Sequence, residues 1–406
     1  MSRQTLLCGH QPGFHHPGVL AKRIMQHDRC LSEGLQPSWI IVDQDTGDPG
    51  AIRFPDLDDR GRLIERTWHA VAHAPDHPTG TTDWPNALTE PPVVSSAMPE
   101  SVHRGLHDMH QALQDAEGDA LAERFHDAHE RLLQSRLPDL VGPPPAILRG
   151  TTILETEAGG RILSSILEAP EACTRAWNDA GRLVPGAARA LRIDFDDPDR
   201  TEVPCWTLDD SGRRMPATVD HLKRHQTGDC VIHPRAFLMT AVIRSTSPHP
   251  MIHGMGGERY EQVTDRWAKA FLGIQLPPIS VCTADLRLPL EAPDSDTSEL
   301  DPHEAIRRLE HDPWPAETTK IDLAEAIRLA PRRSPERRRL FDEMQTRLRA
   351  ARGDLQPRLD ALREEALLQG DRSRQRRVAS ERTWPWPLYE NEAILELELR
   401  NSTFPG

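Results

Sequence analysis

Residues 5–45 read TLLCGHQPGFHHPGVLAKRIMQHDRCLSEGLQPSWIIVDQD, and this stretch decides the fold. The apolar run at residues 5–8 is typical of a buried strand, and it stops at a loop rich in glycine, histidine and proline. Pro17 suits the first turn of a helix, which the pattern ends by Gly34. A second apolar run at residues 39–42 predicts another buried strand. Strand, loop, helix and strand in this order predict a right-handed βαβ unit with parallel strands.

The βαβ unit also locates a candidate site. Ligands of open parallel sheets bind beyond the carboxyl ends of the strands, beside helix amino termini. The side chains that the sequence places there are His10, Gln11, His15, His16, Lys22, Asp43 and Asp45. Imidazole, ammonium and a helix terminus can hold an anion, and a carboxylate can orient or deprotonate a nucleophile. We therefore expect Asp43, Asp45 and His10 to be catalytic and the other side chains to bind substrate, although a proline-capped turn without chemistry has the same pattern.

A second strand–loop–helix pattern occurs later in the chain. A short strand is predicted at residues 251–253, and glycines follow it before a helix with Tyr260 and Trp267 on one face. Glycines in such a loop allow backbone to approach a ligand, and an arginine can clamp a carboxylate or phosphate. The substrate-binding residues expected here are Arg235, His253, Gly254, Gly256 and Gly257. The alternative is a glycine turn required by tight packing, with a structural arginine.

The composition of the chain limits the classes of partner that we expect it to bind. The formal charge of -14 disfavours binding to phosphate backbones, so no nucleic-acid partner is expected. No apolar run is long enough to cross a bilayer, so no membrane partner is expected. The six cysteines form no Cys-x-x-Cys pair, which favours a reducing cytoplasm. Gly-x-Gly-x-x-Gly and Walker patterns do not occur, and the sequence identifies neither a cofactor nor a metal-ligand set.

The distribution of charge and the spacing of apolar residues predict how the chain is divided into segments. Residues 331–382 hold fifteen arginines against nine acidic residues, a local charge of 15 - 9 = +6, and their apolar positions repeat nearly as in a coiled coil. Pro357 predicts a kink or turn there. Residues 394–399 alternate like a half-buried strand that returns to the core. The predicted segments are 1–100, the first part of a Rossmann-like core; 101–137, a helical insertion; 138–330, the second part of the core; 331–382, coiled-coil helices; and 383–406, a carboxy-terminal tail.

These motifs, in this order, resemble the bacillithiol synthase family, a group of cysteine-adding ligases. The resemblance is carried by Gly9-His10-Gln11-Pro12 with Pro17 and Lys22, by residues 39–45, by Arg235, by residues 253–258 and by the basic coiled coil. His10 stands where the family usually has glutamine, so the chain resembles a divergent member. The resemblance implies an α/β protein with a Rossmann-like parallel-sheet core, a connecting insertion and a long coiled coil.

The function expected from these features is a ligase or transferase that joins an amine- or thiol-bearing small molecule to a second small substrate. A non-catalytic ligand-binding protein that dimerises through its coiled coil is one alternative. A metal-dependent hydrolase that uses His10, His15, His16, Asp43 and Asp45 is another.

Overall fold

The computed structural model describes residues 4–74, 76–85, 87–293, 302–311 and 318–404. The strands are β1 (Thr5–His10), β2 (Gln36–Ile41), β3 (Ala51–Leu57), β4 (Leu63–His69), β5 (Ala146–Arg149), β6 (Glu202–Leu208), β7 (Arg214–Thr218), β8 (Ile232–Pro234), β9 (Met251–His253), β10 (Ile279–Thr283) and β11 (Arg400–Phe404). The helices are α1 (Pro17–Glu33), α2 (Glu100–Asp115), α3 (Leu121–Arg136), α4 (Pro138–Val141), α5 (Glu157–Glu168), α6 (Pro170–Leu183), α7 (Val219–Gln226), α8 (Ala236–Arg244), α9 (Gly257–Trp267), α10 (Pro302–His311), α11 (Thr318–Leu329), α12 (Pro335–Ser380) and α13 (Asn391–Leu395). The fold is therefore mixed α/β.

The predicted βαβ unit is confirmed. β1 pairs with β2 in parallel, and β5 joins the other edge of β2, also in parallel. Helix α1 connects the first two strands. His16 caps this helix, since its ring accepts a hydrogen bond from the Gly18 N–H, and Pro17 occupies the first turn. The helix ends at Gly34 in the left-handed conformation that glycine adopts without steric cost.

The first sheet is buried on both faces, which explains its uninterrupted apolar runs. Leu7 and Ile40 belong to one buried cluster, which also contains Trp177 and Trp267. Their chain neighbours, such as Leu6, belong to a second cluster, because successive side chains of a strand point to opposite faces. An alternating polar and apolar pattern would have marked a half-exposed sheet instead.

A second sheet contains β9, β10 and β11, with β10 in the middle. β9 runs parallel to β10, whereas β11 runs antiparallel. β9 also packs beside β1. The prediction of a strand at residues 394–399 is wrong in position: residues 391–395 form α13, and the returning strand is Arg400–Phe404. β6, β7 and β8 form an antiparallel sheet, and β3 and β4 form a two-stranded one.

In the segment predicted as a helical insertion, α2 and α3 are separate helices with Gly118 between them. Of the kink or turn predicted at Pro357, the turn is wrong, because α12 continues through this residue as one helix of 46 residues. The described helices include none that is both long and apolar enough to cross a membrane.

The chain divides into two compact units. The larger contains Met1–Arg60, Glu65–Pro289 and Glu381–Gly406, and the smaller contains Gly61–Ile64 and Leu290–Ser380. In the larger unit, α2 and α3 belong with the sheets, as does the carboxy-terminal segment. In the smaller unit, α10 and α11 both pack against α12.

Candidate functional site

A cleft of about 590 Å³ opens in the larger unit where parallel strands end. Residues at or next to the carboxyl ends of β1, β2, β9 and β10 line it, which is the edge where parallel sheets bind ligands. The polar residues of its wall come from these strand ends and from the neighbouring helices. They are His10, Gln11, His16, Lys22, Thr240, His253, Glu261, Thr283 and Arg382.

Lys22 is the buried cation of this cleft. It stands on α1, its residue is 2% exposed, and its Nζ donates a hydrogen bond to the Gly9 carbonyl oxygen over 2.6 Å. The ammonium also lies 5.7 Å from the centre of the Trp39 ring, a cation–π contact. No carboxylate of the described residues pairs with Lys22, and its burial lowers its pKa. The carbonyl uses one of three ammonium protons, so the remaining donors are available to a ligand oxyanion.

The imidazoles of the first loop are held neutral. Burial lowers the pKa of His10 well below its usual range, and the charge of Lys22 acts in the same direction. Burial lowers the pKa of His16 to about 4, with Arg382 and Lys22 contributing. Neutral rings beside Lys22 can donate or accept hydrogen bonds without adding charge.

His253 ends β9 and faces a carboxylate from the following helix. Its Nδ1 lies 3.3 Å from the Gly254 carbonyl oxygen, and its Nε2 lies 3.8 Å from Glu261 Oε1. Burial lowers the pKa of His253 to about 4, with Lys22 and Arg244 acting in the same direction. Glu261 is itself buried, and its Oε2 accepts a hydrogen bond from Arg244 over 2.6 Å. Arg244 therefore contacts Glu261, and Glu261 in turn lies beside His253, which lines the cleft.

The glycines of residues 254–257 differ in the space that surrounds their missing side chains. A Cβ on Gly257 would lie 1.7 Å from His253 Nδ1, so the imidazole ring occupies the space of a missing side chain. Gly254 and Gly256 have open space at the same position. Phe237 and Tyr260, whose ring centres lie 5.9 Å apart, form an aromatic wall of the cleft.

Most of the residues predicted from the sequence meet in this cleft. The structure brings together His10, Gln11, His16, Lys22, His253, Gly254, Gly256 and Gly257. The two strand–loop–helix patterns are thus parts of one site, although more than 200 residues separate them along the chain.

Asp43 does not line the cleft. Its residue is 0% exposed, and its carboxylate accepts hydrogen bonds from the Thr151 N–H and hydroxyl, each over 2.7 Å. Arg149 completes an ion pair at 3.2 Å. The carboxylate therefore fastens the segment after β5 to the end of β2, which is a structural position and not one that reaches a substrate.

Asp45 lies in a separate, smaller pocket of about 150 Å³ that it shares with Gln11. It accepts a hydrogen bond from Gln11 Nε2 over 3.2 Å and lies 3.4 Å from Arg214 Nη1. Gln11 lines both pockets, so this side chain links Asp45 to the cleft.

His15 and Arg235 also lie outside the cleft. His15 stacks on Trp39, and its Nε2 donates to the Gln11 carbonyl oxygen over 2.9 Å. The guanidinium of Arg235 lies 4.0 Å from the centre of the Trp206 ring, and burial lowers its pKa to about 10. Arg235 therefore supports the start of α8 and is not the substrate clamp expected from the sequence.

The candidate ligands of a metal-dependent hydrolase do not converge. No group of three or more histidine, cysteine, aspartate or glutamate side chains in the described part of the chain could hold a metal ion. Asp43 and His15 are each engaged with other protein groups, as described above.

Glu261, Thr240 and Arg382 belong to the cleft but were not among the predicted site residues. Glu261 lies on α9 between Tyr260 and Gln262, and these neighbours give no sign that it is buried. Its burial depends on Arg244, which comes from another helix.

Comparison of the sequence with models of known protein families gives no match, and comparison with curated proteins gives none either.

Proposed function

We propose that this chain is a bacillithiol synthase-like ligase or transferase. It joins an amine- or thiol-bearing small molecule to a second, anionic small substrate in the cleft described above. The single observation that carries the proposal is Lys22: a buried ammonium without a carboxylate partner in the described residues, facing a cleft at the ends of parallel strands. Placing a charge in such a position is costly unless a counter-charge arrives, and a substrate oxyanion would supply it.

The arrangement of the strands supports a Rossmann-like core. Two sheets with parallel strands, one around β2 and one around β10, send their strand ends to a common cleft, and β9 packs beside β1. Doubly wound folds bind substrates at such a position. This agrees with the resemblance of the sequence motifs to the ligase family, and we propose a cytoplasmic location and coiled-coil helices around α12 on the same basis.

The positions of the side chains change the roles that we propose for them from those expected from the sequence. Lys22, His10 and His16 would bind the oxyanion, and the loop from Gly254 to Gly257 would approach the second substrate. Phe237 and Tyr260 offer an apolar surface to its carbon skeleton. Asp43 and Arg235 support the site from outside it.

Thermal-shift measurements with pairs of ligands test this proposal. A site for two substrates predicts that an anionic nucleotide or sugar phosphate and an amino thiol or amino sugar each raise the melting temperature, and that their effects add. Lys22→Met should remove the effect of the anionic ligand, whereas the exposed Lys269→Met should preserve it. Absence of stabilisation by every such ligand would contradict the proposal.

A non-catalytic, dimerising protein is the second candidate, and one observation favours it. α12 exposes large apolar side chains, among them Phe341, Leu367 and Leu368. Exposed apolar side chains on one helix can pack against a second copy. A dimer that depends on these three residues, together with a melting temperature that no small molecule changes, would favour this candidate over the enzyme.

A further inference from the structure

We propose that His253 accepts a proton from the amine or thiol of the bound substrate, and that an oxyanion bound beside Lys22 promotes this transfer. The inference rests on the proposed function, since it assigns the proton acceptor of the same cleft. In the step, the N–H or S–H bond of the substrate breaks, its electron pair stays on nitrogen or sulfur, and a new N–H bond forms at His253 Nε2.

The hydrogen-bond geometry fixes which ring nitrogen accepts. The Gly254 carbonyl oxygen can only accept a hydrogen bond, so its contact at 3.3 Å places the proton of the neutral ring on Nδ1. Nε2 then carries the lone pair. The side chain is 26% exposed and lines the cleft, so the ring is accessible to a substrate.

Glu261 is placed to stabilise the protonated ring. Its Oε1 lies 3.8 Å from His253 Nε2, while its Oε2 is held by Arg244 at 2.6 Å. Arg244 is also fixed by Asp265 at 2.8 Å, so the carboxylate has a defined position. A carboxylate close to an imidazole favours the charged form of the ring. Glu261 is therefore a positioning residue that acts through His253.

Lys22 and His253 line the same cleft, so an anion bound at Lys22 would share this cleft with the His253 ring. The charged groups that act on His253 are Lys22 from α1, Arg244 from α8 and Glu261 from α9. Burial and both cations disfavour the imidazolium, so the ring is a weak base. An oxyanion bound to Lys22 would offset one of them and raise the pKa of His253. Proton acceptance would then follow the arrival of the anionic substrate.

Histidine NMR on the full chain tests the inference with inorganic phosphate as the probe. His253→Gln identifies the resonance of His253 in protein labelled with carbon-13 at histidine Cε1. In chloride, the ring should stay neutral down to about pH 5; in phosphate at equal ionic strength, its pKa should rise by at least about one unit. Lys22→Met should abolish the difference, and Lys269→Met should retain it. The wild-type comparison of the two salts needs no variant to fold.

The outcomes separate this inference from the proposed function. If phosphate stabilises the wild-type chain through Lys22 but leaves the His253 resonance unchanged, the inference is wrong and the cleft remains a substrate site. If phosphate changes neither the melting temperature nor any histidine resonance, the oxyanion site and the inference both fail. Glu261→Gln adds a further check: it should lower the pKa of His253 in phosphate, whereas an unchanged value would remove Glu261 from the proposal.

Discussion

At the scale of single residues, Asp43 shows how a buried carboxylate can resemble a catalytic one in the sequence. The partners of its hydrogen bonds and ion pair, Thr151 and Arg149, lie just after β5 and at the last residue of β5. We expect Asp43→Asn to lower the free energy of unfolding by about 2–4 kcal/mol, because the buried donors lose a charged acceptor. Asp45→Asn is the matched control and should cost less than about 1 kcal/mol, since this side chain is partly exposed. Urea unfolding of both variants measures the difference; equal costs would contradict the structural role.

The buried histidines predict sensitivity to acid. Burial lowers the pKa of His15 to about 3, below its unfolded value near 6.5, so the folded chain resists a proton that the unfolded chain accepts. The resulting stability is present above about pH 6.5 and is lost as the pH falls toward 3. At pH 5 the loss from His15 alone is about 2 kcal/mol.

Urea unfolding between pH 7.5 and pH 5 checks this prediction. His15→Phe, which keeps an aromatic ring against Trp39, should make stability less dependent on pH by about one proton. His249→Phe is the control, since this histidine is partly exposed and makes its side-chain hydrogen bond to Gln4. An unchanged pH dependence in His15→Phe would show that the ring is already protonated in the folded chain or is neutral in both states.

Sequence reasoning found the cleft residues that stand at strand ends, because the loop after a parallel strand must lie at one edge of the sheet. It could not find the direction of a side chain. Asp43 follows β2 by two residues, yet it turns toward Arg149, a partner 106 residues away. Glu261 was missed for the same reason, since Arg244 decides its burial and belongs to another helix.

At the scale of elements, the first turn of α9 requires a glycine at position 257. Gly257→Ala would place a methyl group against the His253 ring, so we expect a loss of about 1–3 kcal/mol and a displaced imidazole. Gly256→Ala has open space and should be neutral. Thermal unfolding and the His253 NMR signal measure both effects. A Gly257→Ala variant with wild-type stability and an unshifted signal would show that the ring does not occupy this space.

The elements that could be predicted are those with local signals. α1 begins at a proline and ends at a left-handed glycine, and both residues are visible in the sequence. β11 could not be placed, because residues 394–399 alternate between apolar and polar whereas residues 400–404 do not, and the strand is defined by its pairing with β10. Pro357 does not end α12 although proline removes a helical hydrogen bond, and nothing in the described contacts explains why.

At the scale of the whole molecule, the carboxy-terminal segment returns to the larger unit and supports the first loop. Trp384 and Trp386 are both fully buried, and the Trp386 N–H donates to the His15 carbonyl oxygen over 2.7 Å. Trp386→Ala should therefore cost about 3–5 kcal/mol. The exposed Leu395→Ala is the control and should be nearly neutral. Limited proteolysis would show early cleavage near residue 15 in Trp386→Ala; wild-type resistance would contradict the supporting role.

The proposed function requires that the cleft hold an oxyanion at Lys22. Calorimetric titration of inorganic phosphate into the wild-type chain, Lys22→Met and Lys269→Met tests this most directly. We predict binding to the wild type and to Lys269→Met, and an affinity at least about tenfold weaker in Lys22→Met, which corresponds to about 1.4 kcal/mol. Equal affinity in all three proteins, or no binding to any of them, would contradict the account.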